Sequence, residues 1–278
     1  VKTTAQYNGY LEKDVRKIGE YAILDDFCGH IERIADKICM ESRMEESLEF
    51  IDLRTVEERL HGKNSIAHEF VDKRRGWSRS RFIPVDYDED GRLLHVIYCI
   101  ESIDEEKKRE NRLLYLAQTD LMTGLCNRGS GERRINELLQ ERTGGLLCLL
   151  DCDKFKAVND TYGHSVGDKV IIAVAESLQK SCRENDVLLR LGGDEFAIFM
   201  PGLLEQKSAE KFFDRLFENV GEIAIEEMQG KHVEISLGAC FYDGSEFVSF
   251  DQLYRNADHA MYQSKKKQGY SATIYDGQ

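Results

Sequence analysis

Leu149-Leu150-Asp151-Cys152-Asp153-Lys154-Phe155-Lys156 and, about forty residues later, Arg190-Leu191-Gly192-Gly193-Asp194-Glu195-Phe196 are the stretches that decide the fold. In the first, an apolar run ends in acidic residues, the pattern of a buried strand that delivers carboxylates to its C-terminal edge. In the second, a Gly-Gly pair separates two apolar runs. That is the pattern of a tight hairpin, because glycine accepts positive φ without a Cβ clash. Side by side in one sheet, the two would gather Asp151, Asp153, Asp194 and Glu195 at one end, beside backbone without a Cβ. Clustered carboxylates repel one another. Hard oxygen ligands next to glycine-exposed backbone suit Mg²⁺ carrying a phosphorylated nucleotide. A Gly-Gly hairpin with acidic flanks also occurs on plain solvated sheet edges, but the second acidic strand end tips the reading toward a site.

The stretch that follows, Lys156-Ala-Val-Asn159-Asp160-Thr-Tyr-Gly163-His164-Ser-Val-Gly167-Asp168, reads as a polar, turn-rich loop leading into a helix. Strands at 146–151, 187–191, 195–200 and 233–241 alternate with helices near 130–141, 167–182, 205–228 and 250–267, so the fold class is α/β with a mixed sheet. Upstream, apolar residues recur at helical spacing in Ile31, Ile34, Ala35 and Ile38, and an acidic helix follows around Glu45–Phe50. From Ser65 the period changes to two, with strands at Ala67–Val71, Trp77–Val85 and Leu93–Ile103 and a strong turn at Asp88-Glu-Asp90-Gly91. From Asp104 to Leu116 the chain is rich in Glu and Lys, with Leu113, Leu114 and Leu116 apolar. That suits an exposed connecting helix, solvated on all sides or paired as a short coiled coil between protomers.

Three motifs in order carry a resemblance: the entry motif Asp120-Leu-Met-Thr123-Gly124-Leu125-Cys-Asn127-Arg128, the Asp151–Asp168 stretch, and Gly192–Phe196. Over roughly Asp120 to Tyr275 the chain resembles the GGDEF-domain diguanylate cyclases, enzymes that condense two GTP into cyclic di-GMP. The resemblance implies a palm-like mixed sheet flanked by helices, as in nucleotidyl cyclases and polymerases. Helices followed by a three-stranded meander resemble the later part of a PAS sensory domain, whose early strands are not evident. The expected organisation is a smaller α+β PAS-like domain over 1–103, truncated at its N-terminus, a connecting helix over 104–118, and the cyclase domain over 119–278.

By the family pattern, Asp151 and Asp194 are metal carboxylates, the backbone carbonyl of Cys152 is a further ligand, and Glu195 holds the catalytic signature position as base or electrostatic support. Asp153 is left out of the ligand set. The cofactor implied is Mg²⁺ or Mn²⁺. Guanine presents N1–H and its 2-amino group together, a donor pair that one carboxylate accepts and that adenine lacks. Asp168 and Asn159 match the family's guanine-binding pair, and an Asp before a helical run is also a standard N-cap. Gly192 and Gly193 open the backbone to the substrate, while Lys156 and Lys265 match the phosphate-binding slots. Beyond Lys265 the chain departs from the family's Lys-x-x-Gly-Arg-Asn: Lys265-Lys-Lys-Gln-Gly269-Tyr270-Ser271 is one residue longer and has no arginine, so Lys266 is a candidate to share the phosphate role. Arg183-Glu-Asn-Asp186 lies five residues before Gly192, the spacing of the family's inhibitory product site. A planar guanidinium binds phosphate or guanine in bidentate fashion, whereas elsewhere such a pair would be a surface ion pair.

A net charge of −13 over 278 residues argues against a nucleic-acid surface, and the length allows two cores. The eight cysteines, at 28, 39, 99, 126, 148, 152, 182 and 240, form no Cys-x-x-Cys pair, which suits reduced thiols in the cytoplasm. No stretch has the length of a membrane span, so no membrane contact is expected from this fragment, and an upstream anchor stays open because the chain begins at Val1. The expected partners are GTP, cyclic di-GMP as product and inhibitor, and a second copy, since two half-sites must meet. The rival reading is a non-catalytic receptor for GTP or cyclic di-GMP.

Overall fold

A computed structural model describes residues 2–5, 44–267 and 269–277, which fall into two compact units, Val1–Arg112 and Leu113–Gln278. The expected helical face at Ile31–Ile38 lies outside the described residues.

In the first unit the strands are β1 (Lys2–Ala5), β2 (Ile66–Asp72), β3 (Gly76–Tyr87) and β4 (Leu93–Ser102), in the order β1-β4-β3-β2. The antiparallel meander expected from the two-residue period is present. The sequence reading missed β1, which pairs in parallel with β4. Helices α1 (Met44–Ile51) and α2 (Leu53–Leu60) are separated by Asp52, whose carboxylate accepts from the Arg54 N–H at 3.0 Å and so starts the second helix. Val56, Leu60, Phe70, Phe82, Val96 and Tyr98 are buried together in the core. Helix α3 (Asp104–Gln118) buries no side chain, leaving Leu113, Leu114, Tyr115 and Leu116 exposed, and the division between the units falls within it.

The second unit is built on a six-stranded sheet. Its strands are β5 (Cys126–Asn127), β6 (Gly145–Cys152), β7 (Val187–Gly192), β8 (Glu195–Pro201), β9 (Ile235–Tyr242) and β10 (Ser271–Ile274). They lie in the order β10-β9-β6-β8-β7-β5, and only β10 on β9 and β5 on β7 are parallel. β6 is apolar from Leu146 to Leu150 because it is central and covered on both faces. Leu146, Cys148 and Leu150 meet α6 (His164–Ser181) and α7 (Gln206–Gly221), while Leu147 and Leu149 meet α4 (Arg128–Gln140) and α8 (Phe250–Ser264).

Three sequence expectations are corrected here. Phe155–Tyr162 is not a loop but a short helix, α5, ended by Gly163 at φ 85°. Gly163 is also the N-cap of α6, so Asp168 stands inside that helix and does not cap it. The helix expected over 205–228 stops at Gly221, and a 3₁₀ turn covers Glu226–Met228. The short edge strands β5 and β10 were not anticipated, since two and four residues are too few for a readable period.

Candidate active site

Strand register assembles the acidic cluster. Asp151 on β6 sits opposite Glu195 on β8 and opposite Ser236 on β9. Directly opposed residues share a face of the sheet. Asp151 and Glu195 therefore emerge on the α4/α8 side, continuing the rows Leu147-Leu149 and Ala197-Phe199. The β7–β8 turn is the predicted Gly-Gly hairpin, with Gly192 at φ 151° and Gly193 at φ 55°. Both values disfavour a side chain, so the turn's exposed backbone depends on glycine.

The cluster is electrostatically strained. Burial raises the carboxyl pKa of Asp194 above the usual range, with the charge of Asp151 adding to it. Burial does the same to Glu195, helped by Asp151 and then Asp194. The cation paired with the cluster is Lys265, whose Nζ lies 2.7 Å from Asp151 Oδ2, and Arg190 also opposes the charge of Asp194. Burial disfavours the charge of Lys265, but Asp151, Asp194 and Glu195 outweigh that and hold it above the ordinary lysine value. Strand alternation would put Asp153 on the same face as Asp151. The strand ends at Cys152, however, and Asp153 instead accepts a hydrogen bond from the Ser236 hydroxyl at 2.8 Å. Cys152 itself is buried, so only its backbone can serve the cluster.

Of the three consecutive lysines, one reaches the acids. Lys266 lies over the Tyr262 ring at 4.4 Å, and Lys267 Nζ is 3.4 Å from Thr273 Oγ1. Tyr270, near where the family carries arginine, donates its hydroxyl to the Val233 carbonyl at 2.8 Å and packs against Phe217.

Next to the acids, α5 starts at Phe155 from Lys154, which adopts the left-handed φ of 57° and supplies no side-chain cap. Helix N-terminal N–H groups left uncapped favour an anion. Lys156 is exposed in the first turn of α5. Asn159 of α5 faces Gly167 of α6, where an added Cβ would stand 2.0 Å from Asn159 Oδ1, and Asp168 is the next residue along that helix. Asp168 is exposed and Asn159 half-buried, a polar pair open to a ligand.

The sequence alone assigns no role to Arg190 or Asp120. The Arg190 guanidinium donates to the Gly193 carbonyl at 3.0 and 2.6 Å and to Asp120 at 3.2 Å. Asp120 also accepts from the N–H and hydroxyl of Thr123, at 3.0 and 2.7 Å. The entry motif thus clamps the Gly-Gly turn. The signal was an arginine two residues before the glycines and an Asp-x-x-Thr upstream, which only the sheet joins.

On another part of the unit, Asp186 Oδ2 accepts from the backbone N–H of Arg183 at 2.7 Å. The pair is joined by a turn rather than by a side-chain ion pair, and the Arg183 side chain is exposed. Arg215 of α7 donates to the Ser181 carbonyl at 2.7 Å. The Cys182 thiol is pushed up to about 12, first by burial and then by Asp186, with Arg215 opposing. Arg215 therefore adjoins the Arg183–Asp186 turn, a neighbour that local sequence could not reveal.

Among the described residues no helix is long and apolar enough to cross a membrane, and no group of three or more His, Cys, Asp or Glu side chains is arranged to hold a metal.

Comparison with known proteins agrees with this geometry. The family model for the diguanylate cyclase GGDEF domain matches residues 117–271. The chain is 31% identical to the diguanylate cyclase DgcM of Escherichia coli K12 over 189 residues, covering 66% of this chain and 43% of that protein. The chain thus spans less than half the length of that relative. A solved structure of the YfiN GGDEF domain from Pseudomonas aeruginosa is 29% identical, with a TM-score of 0.52, covering 57% of this chain and 94% of that one. The coiled coil and GGDEF domain of DgcB from Caulobacter crescentus, solved in complex with c-di-GMP, is 25% identical with a TM-score of 0.55, covering 62% of this chain and 93% of that one. With the family model matching more than half of its residues, and the hairpin, the acidic cluster and the entry motif all in place, this chain belongs to the GGDEF-domain diguanylate cyclase family.

Proposed function

We propose that this chain is a diguanylate cyclase that condenses two GTP into cyclic di-GMP with release of two pyrophosphates. The single observation that carries the reading is the register that opposes Asp151 to Glu195 beside the Gly192-Gly193 turn, with Lys265 at 2.7 Å from Asp151. In each step a 3′-oxygen forms a bond to an α-phosphorus, the bond from that phosphorus to pyrophosphate breaks, and the hydroxyl proton must be taken up. Chemistry of this kind is mostly positioning and charge neutralisation.

The residues fit a divalent cation. Mg²⁺ is usually held by one or two carboxylates completed by substrate phosphates, not by an all-protein cage. Asp151, Asp194 and the Cys152 carbonyl are such a partial set. Mg²⁺ or Mn²⁺ bound there would activate the hydroxyl and neutralise charge developing on the phosphates. Glu195, whose raised pKa favours taking a proton, is the candidate acceptor or electrostatic support. The α5 N-terminus, Lys156 and Lys265 hold phosphates, the glycine turn lets backbone approach the nucleotide, and Asp168 with Asn159 reads guanine.

Each unit of this kind binds one GTP, so the active species is a homodimer in which two symmetry-related attacks close the ring. The first unit serves as a PAS-like sensory module, on the evidence of helices followed by an antiparallel meander. We place the domains at 1–103, 104–118 and 119–278. The free thiols among the described residues suit a reducing, cytoplasmic location. Incubation with GTP and Mg²⁺, followed by chromatography, should yield cyclic di-GMP, with ATP left intact. Failure to form product even at high protein concentration, where dimers are favoured, would transfer the reading to a non-catalytic receptor.

Gly167→Ala tests the guanine site. The clash is with the end of a side chain that can rotate, so folding should be little affected while the Asn159 amide is displaced. Loss of one hydrogen bond to a polar ligand is worth about 0.5–1.5 kcal/mol, or roughly two- to twelve-fold in GTP affinity. A titration with GTP in which the variant matches wild type would remove Asn159 from the site.

Arg183 and Asp186, joined by Arg215, form the proposed inhibitory product site. Arg183→Ala should weaken cyclic di-GMP binding by about ten- to a hundred-fold, from a charge-assisted contact worth roughly 1.5–3 kcal/mol, and leave initial rates intact. Equal calorimetric affinities for wild type and variant would leave this turn without a ligand role.

A further inference from the structure

We propose that Lys265 is an exchangeable internal cation: it occupies Asp151 when the site is empty and transfers to nucleotide phosphate when a divalent ion takes its place. This inference rests on the metal-site reading given above and adds to it a coupling between metal and nucleotide binding.

The geometry carries the argument. Lys265 Nζ lies 2.7 Å from Asp151 Oδ2, so in the empty site an ammonium already neutralises the carboxylate that a divalent ion would use. A cation of that size and a divalent ion compete for one carboxylate oxygen pair, and both repel each other at contact distance. Asp151 is the more enclosed partner, its side chain 14% exposed, while that of Lys265 is 38% exposed. The lysine can therefore leave toward solvent, and the carboxylate cannot follow. Lys265 is also the residue that ends α8, and the helix C-terminus favours a positive charge at that spot. A cavity of about 320 Å³, lined by Arg255, Asp258, His259, Met261, Tyr262 and Lys265, gives the side chain space to swing without disturbing the core. Its neighbours are engaged elsewhere, Lys266 on Tyr262 and Lys267 on Thr273, so neither duplicates the contact.

The consequence is ordered charge neutralisation. Without nucleotide, a metal ion must displace an ammonium whose other close carboxylates, Asp194 and Glu195, belong to the same cluster that the ion would use. With nucleotide, the phosphates receive the ammonium and Asp151 is released at the same time. Free divalent ions are then held weakly by the empty protein, and the complete site forms only with substrate.

The test is direct binding of Mn²⁺ alone, read by the loss of its free-ion paramagnetic resonance signal, in wild type, Lys265→Met, Lys265→Arg and Asp151→Asn. Lys265→Met should bind Mn²⁺ about fivefold or more tightly than wild type, from removal of a competing ion pair and a nearby positive charge. Lys265→Arg, which keeps the charge, should stay near wild type. Adding GTP should tighten Mn²⁺ binding less in Lys265→Met than in wild type, because the ammonium that the phosphates would receive is missing. Unchanged or weaker Mn²⁺ binding in Lys265→Met, with Asp151→Asn abolishing binding, would overturn the exchange while sparing the metal site. Asp151→Asn binding Mn²⁺ as wild type does would overturn the metal site itself. Thermal melts of each variant separate these outcomes from misfolding, and Lys265→Gln offers a second neutral side chain if the methionine variant is unstable.

Discussion

Asp194→Ala is expected to lower the rate of cyclic di-GMP formation by about a thousand-fold or more, with the melting temperature unchanged or higher. A metal-held charge contributes several kcal/mol to transition-state stabilisation, and each 1.36 kcal/mol is tenfold in rate. Folding should not suffer, because the group is charged at a cost. Its folded pKa is raised by burial and by Asp151, so ionised Asp194 opposes folding at any pH above the unfolded carboxyl value. Removing it also relieves Glu195, whose own pKa is raised in part by Asp194. Initial-rate measurements with GTP and Mg²⁺, paired with a thermal melt, check both halves. A variant that keeps a tenth of the activity or more would remove Asp194 from the metal site.

Gly238→Ala should be the most destabilising single methyl group in the second unit. A Cβ at this β9 position would stand 2.1 Å from the Ala257 carbonyl oxygen and 2.1 Å from the Met261 nitrogen, both backbone atoms of α8. Backbone cannot rotate away, so the whole helix must retreat from the sheet. Overpacking a core usually costs about 1–3 kcal/mol, and a clash with helix backbone belongs at or beyond the upper end. At about 2–4 °C per kcal/mol for a unit of this size, a loss of roughly 6–12 °C in melting temperature follows. Activity should fall as well, because α8 leads directly into Lys265. Circular dichroism melts of the full chain test this, and a shift within 2 °C, roughly the effect of a surface substitution, would show that α8 packs with more tolerance than the structure implies.

The contrast with Gly167 is instructive. There the added methyl meets the end of the Asn159 side chain, at 2.0 Å, and the neighbour can turn aside. The same substitution therefore threatens the ligand in one place and the fold in the other. Nothing in the local sequence distinguishes the two glycines, since both sit inside regular elements.

Much of the architecture was legible from periodicity. The central strand announced itself by an apolar run too continuous for a surface element, and the Gly192-Gly193 pair by the conformations that only glycine enters readily. The acidic ends of β6 and β8 marked the candidate site, because side-chain charge is a local property. Short elements escaped. Helix α5 has only eight residues, rich in polar side chains, and looked like a loop until its packing against α6 gave it a partner. The strands β1 and β10 depend on pairing with β4 and β9, which sequence alone does not supply.

By itself, then, the sequence determined which residues could do chemistry: Asp151, Asp194 and Glu195 as clustered anions, Gly192 and Gly193 as a side-chain-free turn, Asn159 and Asp168 as a polar pair. Only the tertiary structure decided which of them meet. Register opposes Asp151 to Glu195, the end of α8 brings Lys265 rather than its two neighbours to Asp151, and Arg190 ties the hairpin to Asp120 seventy residues away. The physical reason is that charge and conformational preference belong to single residues, whereas pairing of distant groups is set by how strands align and where a helix must end to bury its apolar face.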